Sequence, residues 1–337
     1  MNEKKSRVEW IDILRGFAIL LVILGHNNPP FMAYIYGFHM PLFFILSGYL
    51  FDEKLSLKEH FKRIINRYVL SYFLLCFLNL IIYYIEVMIV NGTLQLTLAT
   101  IISNIKDIII VFEPGMQGCF QLWFLPALAI ALSVFTLCMQ IKVRALRWAS
   151  VLFMSGFGFW LGYHNIKMPF RFSIAFVAVL FVGFGYLLKK YEALKVFDNI
   201  DSIVLKILII VGFIAAGYFA IDRNMINGPI DMSDAIYRNQ ALFIIGATTW
   251  VSVLIILFSR IKGHNLVENT LGVFGRHTIF FLAFDESSNL MGGVFLEKFK
   301  FPHMWYTDFL THLIVLFIYY LICRFIYKMI KSAPGLV

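Results

Sequence analysis

The chain has 337 residues, of which 60% are hydrophobic and only 15% are charged, and its mean hydropathy is +0.79. Soluble domains average about 45–50% apolar and about 25% charged residues, so this composition excludes a soluble enzyme, a disordered chain and a nucleic-acid-binding domain. The net charge of +9 does not indicate a nucleic-acid partner, because the basic residues lie between long apolar runs, where they set membrane topology.

Ten segments are long and apolar enough to be membrane-spanning helices, for which about 20 residues are needed. In chain order they cover residues 9–27, 34–51, 68–90, 121–140, 147–163, 172–188, 203–221, 240–258, 270–290 and 307–327. Residues 94–112 are also apolar, and we interpret them as an interfacial or re-entrant helix on the outer side. If they crossed the bilayer, every later basic loop would move to the opposite side of the membrane.

The Lys and Arg residues indicate how these segments are oriented. With a cytoplasmic amino terminus, 19 of the 29 basic residues fall in inside segments or at the inner ends of spans, 7 in outside segments and 3 deeper within spans. Cytoplasmic loops normally carry such an excess. The sequence therefore predicts an all-α, polytopic membrane helix bundle of about ten transmembrane helices with both termini cytoplasmic. We expect one domain, 1–337, without an appended soluble domain, in the plasma membrane of a bacterium.

The first predicted span carries three ionisable residues, Asp12, Arg15 and His26. Charged groups inside a bilayer are costly and usually face the bundle interior. On a helix, Arg15 and His26 differ by about 20° around the axis, and His26 lies about 16 Å further outwards. Asp12 belongs to the same stripe, three residues before Arg15. The alternative is that Asp12 and Arg15 extend to the cytoplasmic surface, while His26 is a hydrogen-bonded structural residue.

Further ionisable groups are predicted near the outer end of the bundle. His39 begins the second span, so it must lie close to His26 in one helical hairpin. Glu86 comes late in the third span, and Asp285 and Glu286 come late in the ninth. A carboxylate beside an imidazole orients the ring and stabilises its protonated form. The alternative is that His39 and the carboxylates are solvated interfacial groups.

Basic residues are predicted at the inner end, where Arg15, Arg63, Arg67 and Arg276 lie at or near helix ends. Positive-inside topology accounts for Arg63, whereas Arg15 and Arg276 lie deeper in the bilayer. A basic inner cluster combined with an outer cluster of histidine and carboxylates suits one kind of task. Such a protein binds an anionic cofactor from the cytoplasm and acts on a substrate at the other side.

The stretch Trp10–Phe51, WIDILRGFAILLVILGH…FHMPLFFILSGYLF, resembles the acyltransferase 3 family of membrane acyltransferases. That family has an Arg-x10-His motif in its first helix, which Arg15 and His26 match, and a PLFFxxSGY segment, which Pro41–Tyr49 match. The segments Leu122–Leu128 and Leu271–Phe281 resemble later family segments. In length and in its FHMP sequence, the chain is similar to family members of the fucose 4-O-acetylase type, which O-acetylate glycans.

The resemblance implies transfer of an acetyl group from cytoplasmic acetyl-CoA to a hydroxyl of a cell-surface or lipid-linked glycan. It implies His26 as the catalytic group. We also expect contact with membrane lipid and no metal. We expect a catalytic group of His26, Asp12, Arg15, His39, Asp285 and Glu286, a donor site of Arg15, Arg63, Arg67 and Arg276, and an acceptor site of His39, Glu86 and Trp123. The chain departs from many relatives at Ser71, where they have Pro, and at Asp285, where they have His.

Two mechanisms and two other functions stay open. His26 could deprotonate the acceptor hydroxyl, or it could itself accept the acetyl group. A transporter or flippase of glycan intermediates would also place charges in the membrane, but transporters commonly have paired repeats with interrupted helices in both halves. The sequence contains no such repeat. A non-catalytic scaffold would leave the stripe of Arg15 and His26 unexplained.

Overall fold

A computed structural model describes residues 9–93, 97–110, 119–262 and 265–332. The described residues form sixteen α-helices: α1 (Glu9–Gly25), α2 (Met32–Tyr36), α3 (His39–Tyr49), α4 (Leu57–Ile64), α5 (Leu70–Asn91), α6 (Leu98–Ile110), α7 (Phe124–Met139), α8 (Arg144–Tyr163), α9 (Phe172–Lys190), α10 (Ala193–Asp198), α11 (Ile203–Met225), α12 (Gln240–Phe258), α13 (Leu266–Arg276), α14 (Thr278–Ala283), α15 (Asp285–Lys298) and α16 (Trp305–Ser332). A π-helical turn, Ile65–Val69, joins α4 to α5. Two 3-10 turns, Phe120–Trp123 and Pro169–Arg171, lead into α7 and α9.

Six helical stretches in the described part of the chain are long and apolar enough to cross a membrane. They are Leu57–Asn91, Phe120–Met139, Pro169–Lys190, Ile203–Met225, Gln240–Phe258 and Trp305–Phe325. The predicted all-helical membrane fold is therefore confirmed. The number of ten spans and the cytoplasmic position of both termini stay predictions.

One predicted span is shorter than a bilayer requires. α3 has eleven residues, whereas a span needs about 20. Within residues 94–112, α6 has 13 residues. Residues 94–96 and 111–112 lie outside the described residues, so the interfacial or re-entrant interpretation of this segment stays a prediction.

The single helix predicted over 270–290 is wrong, because the chain leaves helical geometry at His277 and again at Phe284. The Thr278 hydroxyl donates a hydrogen bond to the Gly275 carbonyl, which competes with the backbone bonds that would continue the helix. Near the second break, the buried Asn79 amide donates to the Ala283 carbonyl at 2.8 Å. Helix breaks at membrane depth persist where such neighbours satisfy the freed backbone groups.

Two glycines allow α1 and α13 to pack with their backbones nearly in contact. A Cβ atom on Gly16 would lie 1.9 Å from the Leu271 carbonyl oxygen, and one on Gly275 would lie 1.6 Å from the Asp12 carbonyl oxygen. Without a hydrophobic driving force between helices in lipid, small residues at a crossing are what permit close van der Waals packing. This crossing fixes the position of Arg276 relative to α1.

The same arrangement joins α3 to α9. A Cβ atom on Gly48 would lie 1.9 Å from the Val182 carbonyl oxygen, and one on Gly185 would lie 1.8 Å from that of Ile45. The buried core consists mainly of α1, α3, α7, α9 and α12, whereas α5, α11 and α16 expose most of their apolar residues. Exposed apolar faces of this kind are what a lipid-facing helix presents.

Candidate functional site

His26 is the first residue after α1, and its ring is held by a carboxylate. His26 Nδ1 lies 2.5 Å from Asp285 Oδ2, and the Asp285 side chain is fully buried at the first position of α15. The amino-terminal end of a helix stabilises a negative charge. Because a carboxylate accepts and does not donate, Nδ1 carries the proton and Nε2 keeps its lone pair. The neutral ring therefore offers a base at Nε2, in the tautomer used by hydrolytic Asp–His pairs.

A cavity of about 70 Å³ lies beside this pair, and we call it the His26 cavity. Its polar and aromatic lining residues are His26, Tyr36, His39, Phe120, Gln121, Trp123, Asp231 and Ser233. Three residues predicted for the site, His26, His39 and Trp123, thus meet at one cavity. Because Trp123 is only 5% exposed, its ring forms a wall and offers little surface on which a sugar could stack.

His39 presents a second imidazole to the His26 cavity. The ring is 6% exposed, and His39 Nδ1 lies 2.8 Å from the Ile35 carbonyl oxygen. Since the carbonyl can only accept, Nδ1 is the donor, and Nε2 keeps its lone pair for a hydroxyl in the cavity. The Tyr36 ring packs against the imidazole at 5.0 Å between centroids. His39 is therefore a buried, oriented group and not a solvated interfacial one.

The segment between α11 and α12 contributes a carboxylate to the same cavity. Asp231 Oδ1 accepts hydrogen bonds from the Ser233 backbone N–H at 2.8 Å and from its hydroxyl at 2.6 Å. Backbone hydrogen bonds between Asp231 and Ile236 close the turn. Burial raises the pKa of the Asp231 carboxyl above its ordinary value. This turn therefore supplies a further polar group that can bind a hydroxyl.

The four arginines predicted for a donor site lie together. Arg15, Arg63 and Arg67 line a cavity of about 140 Å³. Arg15, Arg67 and Arg276 line a neighbouring cavity of about 210 Å³. The two share Arg15 and Arg67, and we call them the arginine cavities. A guanidinium group presents several fixed N–H donors that match phosphate oxygens, so this cluster can bind a polyphosphate.

Arg67 belongs to the π-helical turn Ile65–Val69. Such turns insert an extra residue into a helix and are frequent at functional sites. The turn places Arg67 in the same arginine cavities as Arg15, which projects from a different helix.

The larger arginine cavity adjoins the His26 cavity. Three elements, α3, the start of α7 and α14, each line both cavities. The His26 cavity is lined by Met40, Trp123 and Leu282. The larger arginine cavity is lined by their near neighbours Phe43, Phe124 and Phe280. Residues one to three apart on a helix are separated by about 1.5–4.5 Å along its axis. The two cavities are therefore stacked along the bundle, with the arginines at one end and His26 at the other.

Three other predicted residues lie elsewhere. Glu86 is buried and accepts hydrogen bonds from the hydroxyls of Ser287 and Tyr319. Asp12 is buried at the crossing of α1 with α13. Glu286 accepts from the Phe120 backbone N–H at 3.1 Å. The contacts of Glu86 and Glu286 join α15 to its neighbours, so they support the helix that carries Asp285.

The structure adds Tyr36, Gln121, Asp231 and Ser233 to the predicted cavity residues, and it places His312 beside Asp285. His312 could have been found from the sequence, because it is an ionisable residue inside the last predicted span. Asp231 had no such signal, since an acidic residue in a polar segment between spans is ordinary.

Within the described part of the chain, no group of three or more His, Cys, Asp or Glu residues is arranged to hold a metal ion.

Comparison with known proteins gives one family match. The family model for the acyltransferase domain of the acyltransferase 3 family matches residues 8–291, which is most of the chain. No curated protein and no solved structure matches the chain.

Proposed function

Because the chain belongs to the acyltransferase 3 family, we propose that it is a membrane O-acyltransferase. The acyl group is acetyl, the donor is cytoplasmic acetyl-CoA, and the acceptor is a hydroxyl of a cell-surface or lipid-linked glycan. The observation that carries this proposal is the contact of His26 Nδ1 with Asp285 Oδ2 at 2.5 Å. It leaves a base at Nε2 beside a cavity that adjoins the arginine cavities.

The arginine cavities support acetyl-CoA as the donor. CoA carries several phosphate charges, which guanidinium groups bind through paired, charge-assisted hydrogen bonds. With the phosphates at Arg15, Arg67 and Arg276, the pantetheine arm extends along the bundle towards His26. Phe43 and Phe280 line that part of the cavity and suit the apolar portion of the arm.

The size of the His26 cavity supports a short acyl group. The His26 cavity, at about 70 Å³, has a third of the volume of the larger arginine cavity at about 210 Å³. We expect this smaller space to hold an acetyl group and one hydroxyl-bearing edge of a sugar. His39 Nε2 and the Asp231 carboxyl provide acceptors for neighbouring hydroxyls of the sugar.

The chemistry then follows from the tautomer of His26. Nε2 takes the proton of the acceptor hydroxyl as its oxygen attacks the thioester carbonyl carbon. The C–S bond breaks, and the CoA thiolate receives the proton from His26. Asp285 holds the ring through Nδ1 and stabilises the imidazolium that forms between these steps. In the covalent alternative, Nε2 attacks the thioester carbonyl carbon, the C–S bond breaks and CoA leaves as the thiolate. The acceptor hydroxyl then attacks the acetyl group on His26, the N–C bond breaks, and the proton of the hydroxyl passes to the thiolate.

The test uses purified protein in lipid nanodiscs with acetyl-CoA and candidate glycan acceptors. We expect release of CoA thiol that depends on the acceptor, and a glycan whose mass increases by one acetyl group per transfer. A transporter would move glycan across a vesicle membrane without consuming acetyl-CoA. Absence of turnover with every acceptor, by protein that binds acetyl-CoA, would contradict the proposed reaction.

A further inference from the structure

His312 is a fully buried histidine that the proposed mechanism does not yet use. It lies on α16, beyond the 8–291 segment that the family model matches. Gly292 of α15 lies against it, since a Cβ atom there would be 3.2 Å from the His312 backbone nitrogen. α16 thus carries an ionisable ring into the bundle interior beside the helix that begins at Asp285.

His312 and Asp285 present two otherwise unsatisfied atoms to each other. His312 Nε2 lies 3.4 Å from Asp285 Oδ1, and both side chains are fully buried. Among the described residues, neither atom has a hydrogen-bond partner. A buried polar atom without a partner carries a free-energy penalty, and catalytic hydrogen bonds that are long in an unliganded enzyme tighten when the substrate binds. The pair is therefore poised to form a hydrogen bond through Asp285 Oδ1.

Asn27 determines which nitrogen of His312 carries the proton. The Asn27 amide nitrogen lies 2.6 Å from the Ile23 carbonyl oxygen and 3.1 Å from His312 Nδ1. The carbonyl requires a donor, so this atom is the NH₂ group, and its second hydrogen points to His312 Nδ1. Nδ1 is then the acceptor, and in the neutral ring the proton lies on Nε2, which faces Asp285.

We propose that His312 is a positioning residue of the acyltransferase, a role that rests on the proposed function. Its Nε2–H holds Asp285 Oδ1, so that Oδ2 is directed at His26 Nδ1 and the base at His26 Nε2 stays oriented. Asn27, the neighbour of His26, completes the arrangement from the end of α1. A helix outside the matched segment thereby completes the site.

The first test compares His312→Leu with His312→Gln. Leucine removes the donor, whereas the glutamine amide can still donate to Asp285. Partners that orient metal-binding histidines contribute about 10- to 100-fold to activity, and we take the same order for His312. We expect kcat to fall by that factor in His312→Leu, with KM for acetyl-CoA unchanged, and His312→Gln to recover part of the loss. His303→Leu is the matched control, because this histidine is exposed and pairs with Asp308 at 3.0 Å.

A second measurement does not depend on turnover. The proton shared by His26 and Asp285 should give a downfield proton resonance that disappears in Asp285→Asn. We expect this resonance to move in His312→Leu and to stay in place in His303→Leu. If both kcat and the resonance are unchanged in His312→Leu, the proposal is overturned. It also fails if the leucine and glutamine variants lose activity equally together with thermal stability. Wild-type protein that has the resonance but transfers no acetyl group would contradict the proposed function alone.

Discussion

His26 and Asp285 are 259 positions apart in the chain, yet His26 Nδ1 lies 2.5 Å from Asp285 Oδ2. Two features of the fold bring them together. Glycines allow α13 to pack tightly on α1, and the breaks at His277 and Phe284 make Asp285 the first residue of a new helix. The contact fixes the tautomer of His26 and leaves Nε2 as the base beside the His26 cavity.

The sidedness of the membrane fold can be tested by cysteine labelling. In a variant without the native cysteines, we expect Ala145→Cys to react only with a reagent applied from the cytoplasmic side and Pro229→Cys only from outside. The reason is the distribution of Lys and Arg, which strongly favours one orientation. External labelling at position 145 would mean that residues 94–112 cross the membrane and that the later loops are inverted.

Loss of Arg67 should weaken donor binding. Arg67 lines both arginine cavities, and a charge-assisted hydrogen bond contributes about 1.5–3 kcal/mol, or about 10- to 150-fold in Kd. We expect this rise in the Kd for acetyl-CoA in Arg67→Ala, and only partial recovery in Arg67→Lys, because an ammonium group does not reproduce the planar fork. Isothermal titration measures the change.

The matched control for donor binding is Arg144→Ala. Arg144 is exposed, and its guanidinium donates to the Tyr191 hydroxyl, away from the arginine cavities. Equal affinity for acetyl-CoA in the wild type and in Arg67→Ala would remove Arg67 from the donor site.

The crossing of α1 with α13 should not tolerate a methyl group. In Gly275→Ala the new Cβ would lie 1.6 Å from the Asp12 carbonyl oxygen, so the helices must separate, and overpacking typically destabilises by about 1–3 kcal/mol or more. We expect a lower thermal unfolding temperature in detergent and reduced activity. Gly293→Ala on α15 is the control, because among the described residues nothing beyond the backbone of its own helix lies within 4 Å of the added Cβ. Equal stability of both variants would contradict the packing described for Gly275.

Asp231 should make stability depend on pH. Burial raises the pKa of its carboxyl in the folded protein. At pH values between the unfolded and the folded pKa, the carboxyl is therefore protonated in the folded state and ionised in the unfolded state. The contribution of this group to stability is therefore present below the unfolded pKa of about 3.9 and falls as the pH rises through the folded pKa. Asn keeps an oxygen for the two hydrogen bonds from Ser233 but cannot ionise.

Asp231→Asn should consequently stabilise the protein relative to the wild type more at pH 7 than at pH 4. Thermal unfolding of both proteins in detergent at the two pH values measures the difference. If the unfolding temperatures of the two proteins differ by the same amount at pH 4 and at pH 7, Asp231 has the same pKa in the folded and unfolded states, and the prediction is wrong.

The parts of the site that could be predicted from the sequence are those fixed by local helical geometry. Arg15 lies on α1 and His26 directly follows it, so helical periodicity alone predicted that they share one stripe. The partner of His26 could not be chosen between Asp285 and Glu286, because the choice depends on the breaks at His277 and Phe284. No proline marks these breaks, and tertiary contacts such as that of Asn79 with the Ala283 carbonyl accommodate them.

The central claim is that His26 Nε2 is the group through which the acetyl transfer passes. The most direct measurement is the initial rate of glycan acetylation by correctly inserted His26→Gln protein saturated with acetyl-CoA. His164→Gln, which changes an exposed histidine outside the His26 cavity, is the matched control. A general base contributes about 10²- to 10⁴-fold, so we expect about 1% of the wild-type rate or less in His26→Gln and an unchanged rate in His164→Gln. A rate near that of the wild type in His26→Gln would contradict the account.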